Sequence, residues 1–480
     1  MALILTRSPF HISRGALDPN AGLVVEIFEY NQGISTKRNT YTLSFRNNNF
    51  IDISNLVNSE FVNVFTYNSS TGSYEGSSSD VLLVRTTLSG TINDVAQTDV
   101  VSEYYATDGY LYSTNSINQD FSSTLRTNGY YAGSTDIIYK LYSSVLNVPL
   151  LNTSQTSLMF NIAVNPSFDT DTDWTKDSSD WTISNGAAFV SSSDLTVDRL
   201  YQSATVNGLD LLVQFEVTDF SGTGFASMRY PFNVSITGNG TYRATGTGEL
   251  DRIQFQAQAN DLSTPLQFRI DNVFVGERTS SNYEEVTLDA KFNGSTVGTQ
   301  TIEFDSTTKN SYQEVSFDID DIDEVLITTD YGTKTIDVET ISECKYSPFR
   351  LTFLNKYGVE EDLWFFKRSS KTIQVTSEEF RANQFKERSA GLTTRSMREY
   401  NKNATEKMVL NSGFVKEELN ESFKQLMLSE EVTMFDFDNS AEFAIKITSS
   451  SLEFKTVVND KLINYTINVE FSNNTIDNIV

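Results

Sequence analysis

Cysteine and histidine are almost missing from this sequence of 480 residues; each occurs once, as Cys344 and His11. A single cysteine closes no intramolecular disulfide, and one cysteine with one histidine supplies neither a Cys/His zinc cluster nor a thiol relay. A Cys–His dyad would require His11 and Cys344 to meet across the chain. Proline is scarce at seven residues, so Gly, Asn and Asp carry the turns. Positive charge is short as well, with 36 Lys and Arg against 63 Asp and Glu and a net charge of −27. That balance argues against coating nucleic acid, whose phosphates call for clustered cations. It argues equally against electrostatic docking on an anionic membrane. Long apolar runs are absent. The start, MALILTRSPFHISRG, has only the run Ala2 to Leu5 before Thr6 and Arg7, short of the roughly 7–15 apolar residues of a signal peptide. No stretch approaches the roughly 18 apolar residues of a membrane span. The expectation is a protein made in a cytoplasm, without signal peptide or transmembrane segment, and not an enzyme.

What the sequence does hold is aromatic and β-forming. It has 33 Phe and 22 Tyr, and 39% of its residues are hydrophobic, which is enough to build cores. At roughly 150 residues per domain the length suggests about three domains. Segments 22–30 (GLVVEIFEY), 40–45, 81–87 and 136–142 are short, rich in β-branched and aromatic residues, and bounded by Gly, Asn, Asp and Ser, as strands are. Helical periodicity is nearly absent before residue 340. Strands recurring every roughly 8–12 residues build sandwiches and jelly rolls. The expected fold class is mostly β: several β-sandwiches including a jelly roll, with a C-terminal α+β domain.

Four segments follow from this reading. The first, 1–155, is a β-sandwich whose densest turn region is the polar loop 68–80 (NSSTGSYEGSSSD). The second, 161–277, contains 211–217 (LLVQFEV), 226–236 and 252–257 (RIQFQA), each alternating apolar and polar residues as a half-buried strand does. In the last of these, Ile253 and Phe255 share one face while Arg252, Gln254 and Gln256 share the other. The third, 280–343, is a β-rich domain or a continuation of the first, with strands at 285–292 and 312–319. Its acidic run 318–324 (DIDDIDE) reads as a solvated loop with Ile319 and Ile322 tucked in, the alternative being a cation site. The fourth, 344–480, is an α+β assembly domain. Residues 349–380 alternate around an aromatic cluster at Trp364, Phe365 and Phe366, and the spacing predicts a helix over 414–430. Leu419, Phe423, Leu426 and Met427 would lie on one face of it, with Glu417 and Glu418 near the N-terminus where the dipole favours them. Strands are expected again at 443–448, 452–457 and 462–471. The segment 386–407 is the most basic part of the chain.

Few motifs point to chemistry. The segment 238–248 (GNGTYRATGTG) contains G-x-G twice but lacks the strand-then-helix setting and the G-K-[ST] of a phosphate cradle; it reads as a β-turn region. Asp169, Asp171 and Asp173 (DTDTD) resemble the start of an EF-hand, yet Trp174 stands where that loop needs glycine. A shallower calcium site in this loop, with Asp180 nearby, remains as the alternative to a solvated acidic loop. Paired carboxylates for glycoside hydrolysis are possible in so acidic a chain, but nothing marks one pair. No G-x-S-x-G occurs, and a Ser–His–Asp triad would have to rest on His11. Exposed aromatics are more informative, because sugar rings stack on Trp and Tyr while Asn, Gln and Arg satisfy their hydroxyls. Trp174, Tyr201, Arg229 and Tyr230 are the candidates for glycan binding, each set against the alternative of a core position. Trp181, inside the alternating WTISNG, is assigned to the core.

Two resemblances rest on quotable residues. The stretch 165–275, opening on NPSF…W…WTISNG and closing on IDNVFV, resembles the jelly-roll carbohydrate-binding modules appended to polysaccharide-degrading enzymes. The resemblance implies a two-sheet sandwich with a structural calcium ion near its chain ends, and by position Asp169 and Asp271 match the ligands of such a site. The other segments, SPFHI, YYATDGYLY (104–112), ECKYSPFRLTFLNKYGVEEDLWFFK (343–367) and LINYTINVEFSN (462–473), look like a group of virion proteins from tailed phages of Bacteroidetes-type and marine bacteria. That family implies a structural component of the particle, at the tail or another surface appendage, and supplies no catalytic residues.

Together these readings give the expected function: a structural protein of a tailed-phage virion that assembles with copies of itself and with other virion proteins and touches host glycans through the jelly roll. Arg388, Arg395 and Arg398 of the basic segment, with Trp364, are the candidate assembly contacts, the alternative being an ordinary solvated loop. The rival functions are a tail-associated polysaccharide-degrading enzyme or its carbohydrate-binding accessory, a binding protein of a bacterial surface, and a purely architectural part whose jelly roll binds nothing.

Overall fold

Alternating segments bounded by turn residues become strands wherever a second strand can cover their backbone, and most of this chain does so. The computed structural model describes residues 2–31, 34–46, 48–61, 66–68, 73–75, 81–115, 119–142, 144–153, 161–184, 186–192, 195–261, 264–279, 283–305, 312–342, 345–381, 397–449 and 462–473. The fold is mostly β, with several sandwich-like sheets and a small helical segment near the C-terminus. Among the described residues no helix is long and apolar enough to cross a membrane. The chain forms two compact units: one of 1–154, 285–302 and 308–480, the other of 155–284 and 303–307. The jelly-roll segment 161–277 thus falls in the second unit, while the segments 1–155 and 344–480 and most of 280–343 share the first.

In the first unit, one five-stranded sheet runs in the order Ala2–Leu5, Val100–Thr107, Val81–Ser89, Gly22–Asn31, Ile34–Ser44. A second sheet pairs Ile137–Leu141 with Gly332–Ile341, and Leu146–Leu151 pairs with Tyr312–Phe317. The strands of 280–343 therefore continue the N-terminal segment. The acidic run 318–324 is a loop with Ile322 buried and Ile319 half-buried. Its cation is internal: the Lys140 ammonium, buried, donates to the Ile319 carbonyl at 2.6 Å and the Asp320 carbonyl at 3.3 Å. Burial lowers the Lys140 pKa, and Asp320, Asp318 and Asp321 oppose that shift.

A seven-stranded sheet closes the unit, in the order Glu360–Phe365, Phe349–Leu354, Val432–Asp436, Ala441–Ile447, Leu462–Phe471, Met397–Lys416, Ser370–Arg381. The expected alternation over 349–380 gives way here: all six residues of Phe349–Leu354 are buried, and all twelve of Ser370–Arg381 are exposed. The first lies between two strands with both faces covered, and the second is the sheet edge. The predicted helix is shorter than its periodicity implied. Residues 414–416 extend a strand, a 3-10 turn covers Glu417–Leu419, and the α-helix is Asn420–Leu428. Leu419, Phe423 and Leu426 are buried as expected, but Gln425 is buried where Met427 was expected. Its amide oxygen accepts the Lys356 backbone N–H at 2.7 Å, so a polar contact rotates the buried face. The strand expected at 452–457, Cys344 and much of the loop 68–80 lie outside the described residues.

The second unit is a jelly-roll sandwich of two five-stranded sheets. One runs Thr175–Lys176, Asp198–Ser203, Arg252–Ala259, Gly224–Tyr230, Val234–Ile236; the other runs Trp181–Ser184, Ala187–Ser192, Leu266–Glu277, Asp210–Ser221, Gly240–Thr247. Their inner faces meet in one core that includes Phe168, Trp174, Trp181, Phe215, Phe255 and Phe268. The segment read as a β-turn region is mostly the edge strand Gly240–Thr247, whose Thr, Tyr, Arg and Ala side chains pair with Asp210–Ser221. Only its ends turn. Gly248 is needed there, because a Cβ would collide with the Val206 carbonyl. The single strand expected over 226–236 is two, separated at the cis peptide Tyr230–Pro231.

Candidate functional site

The outer face of the first jelly-roll sheet follows from its alternation. Ile253, Phe255 and Ala257 turn into the core, so Arg252, Gln254, Gln256 and Gln258 lie on the other face, Gln254 buried and the rest half-buried. Register then sets their neighbours. Tyr201 stands opposite Gln254 on one side and Tyr230 stands opposite the same Gln254 on the other. With strands about 4.8 Å apart, the two tyrosines lie about 10 Å from each other across Gln254.

Each ring is held by an arginine. The Arg252 guanidinium lies 4.5 Å from the Tyr201 ring centroid, and that of Arg229 lies 4.6 Å from the Tyr230 ring, both at cation–π distance. Arg252 also donates to Gln254 Oε1 at 3.2 Å, and Arg229 pairs with Glu249 at 3.1 Å. Gln256 Nε2 donates to Ser227 Oγ at 3.2 Å along the same face. The result is two half-buried aromatic rings with the buried Gln254 amide between them and fixed cations at the sides.

Of the four residues predicted for glycan binding, the structure brings Tyr201, Arg229 and Tyr230 to this face. Trp174 is corrected. It is buried, with its ring 5.1 Å from Phe168 and 6.2 Å from Phe255, and its Nε1–H donates to the Asn165 carbonyl at 3.2 Å. At 5% exposure it presents no face to a ligand. Gln254 and Arg252 belong to the site; the alternation of 252–257 marked their face, but only strand register placed them between the tyrosines.

The second candidate lies on the outer face of the other sheet. Asp271 stands directly opposite Glu216 in the antiparallel ladder, a placement that sets like charges against each other. Burial raises the Asp271 carboxyl above the usual carboxylate range, and the nearby Glu216 and Asp169 charges raise it further, against the Asn272 backbone N–H that donates to it. The Asp169 charge thus reaches Asp271, and Glu216, which no local pattern singled out, stands opposite it. Among the described residues no group of three or more His, Cys, Asp or Glu side chains forms a ready metal cage, so an ion here would also need backbone or water oxygens. The rest of the acidic loop is otherwise engaged: Asp171 pairs with Lys176 at 2.6 Å, and Asp173 accepts from Thr172 at 2.9 Å.

The assembly candidates separate. Trp364 is buried, with its ring 5.4 Å from Phe437, so it is a core residue and presents no contact surface. Arg398 is exposed on the strand Met397–Lys416. Arg388 and Arg395 lie outside the described residues. The fold and site define a mostly β, multi-sandwich protein carrying a jelly roll with a tyrosine–glutamine–arginine face. No protein-family model matches the chain, and no curated protein matches its sequence.

Proposed function

We propose that this chain is a structural, non-enzymatic component of a tailed-phage virion, at the tail or another surface appendage, and that its jelly roll contacts host glycans. The observation that carries the glycan part is the row Tyr201–Gln254–Tyr230 with its two stacked arginines. The virion part is supported by the phage-like segments at both ends of the chain and by its modular β architecture. The partners are further copies of the chain, other virion proteins and the glycan. A glycan array probed with the full chain in calcium tests the binding. Tyr201→Ala and Tyr230→Ala should each weaken a positive signal by about 10-fold. A blank array sinks the glycan reading, and reducing sugar released from a bound polysaccharide would make the chain an enzyme instead. Labelled imaging of the particle tests the virion assignment, which fails if no label decorates it.

We further propose that Asp169 and Asp271 take a structural calcium ion together with backbone and water oxygens. A raised carboxylate binds more protons folded than unfolded, so Asp271 costs stability as pH rises from about 4 through its raised value. A cation bound only to the folded state offsets that cost. At pH 7, calcium should raise the melting temperature of the jelly roll by about 2–6 °C over chelator. Asp271→Asn should abolish that increment and stabilise the metal-free protein. An equal calcium shift in the variant would remove Asp271 from the site.

A further inference from the structure

From residue 373 onward the strands Ser370–Arg381 and Met397–Lys416 pair only with each other and form a two-stranded arm. Every residue of the first strand, and 397–402 of the second, is exposed. A ribbon solvated on both faces is marginal by itself, and an open edge strand of this length is a template for pairing. The paired strands nevertheless show water five large apolar side chains: Ile373 (58% exposed), Val375, Phe380, Met397 and Tyr400. Phe380 and Tyr400 meet edge to face at 5.7 Å. Lys371 pairs with Glu406 and Lys402 with Glu399, but Arg381 and Arg398 have no ion pair among the described residues. In sequence, 370–407 carries eight Lys and Arg against five Glu, a surplus of cations in a chain of net charge −27.

A complementary surface lies on the same chain. Val95, Val100 and Val101 are 56–63% exposed, and Asp94 and Asp99, both exposed, sit beside them. This stretch offers the arm an exposed apolar surface with carboxylates next to it. We propose that the arm docks on the 94–101 surface of a second copy of this chain, its apolar side chains against the valines and Arg381 and Arg398 toward Asp94 and Asp99. Two different patches meeting head to tail make a heterologous contact, which closes into a ring or runs on as a filament. The inference stands apart from glycan binding, since either can fail while the other holds.

The test uses the full chain and light scattering after size exclusion. Wild type at tens of micromolar in low salt should have the mass of two or more chains, and added salt should lower it. An arm variant (Ile373→Ser with Phe380→Ser) and a surface variant (Val100→Ser with Val101→Ser) should each run as single chains with unchanged melting temperature, because all four side chains are exposed. Mixing the two variants should restore a two-chain complex, since one keeps the surface and the other keeps the arm. Single-chain wild type, variants that still assemble, or a mixture that stays monomeric overturns the proposal. A variant that melts early is replaced by Arg381→Glu with Arg398→Glu, which must give the same loss.

Discussion

Trp181→Ala should destabilise the jelly roll by about 4 kcal/mol, the cost of emptying a large aromatic site in a packed core. Trp181 is among the largest fully buried side chains, meets Phe268 edge to face at 5.9 Å, and belongs to the sandwich core. Trp181→Phe should cost far less, below about 1.5 kcal/mol. The indole Nε1–H is buried and finds no acceptor among the described residues, and a buried unpaired donor already costs about 1–3 kcal/mol. Phenylalanine removes that donor while keeping most of the ring, so the loss of volume is partly offset. Calorimetry of the jelly-roll transition checks both values. A Phe variant as unstable as the Ala variant would mean that the indole N–H has a partner.

The second large effect concerns Lys140. Lys140→Ala should cost about 3 kcal/mol, because the ammonium satisfies two carbonyls of the acidic run from a buried position. Lys140→Met keeps the stem and its packing, and its cost, about 2 kcal/mol, isolates the ammonium. Denaturant unfolding of the two variants separates the contributions. A Met variant indistinguishable from wild type would show that packing of the stem, and not the charge, holds the loop. The residues that surround this contact explain why it matters. The charges of Asp318, Asp320 and Asp321 act on this one buried cation from an exposed loop in which Ile322 is buried.

Much of the fold was legible because its signals are local. Segment 22–30 became Gly22–Asn31, and 462–471 became Leu462–Phe471, since alternation of period two and turn residues at the ends are both properties of neighbours in sequence. The same locality misled at 238–248, where two G-x-G pairs outweighed an alternating Thr–Tyr–Arg–Ala pattern that only a neighbouring strand could turn into an edge. It misled again at 414–430. The apolar repeat was real, but its first turn was claimed by strand pairing with Leu462–Phe471, and Gln425 took an inward position to meet the Lys356 backbone.

The candidate site divides the same way. Tyr201, Tyr230 and the outward face of 252–257 could be read from composition and alternation. Whether an aromatic is exposed could not, because exposure depends on what packs over it: Trp174 and Trp364 lie in cores, while Tyr230 lies on a surface.

By itself the sequence determined the β class, and its single Cys and single His leave no intramolecular disulfide and no Cys/His zinc cluster. These depend on residue counts and short-range periodicity, which no tertiary arrangement changes. Only the tertiary structure decided that Glu216 faces Asp271, that Gln254 lies between two tyrosines, and that Lys140 closes a loop 179 residues away. Each of those contacts is set by strand register and sheet order, and the free energy that selects them comes from burying both faces of a core at once.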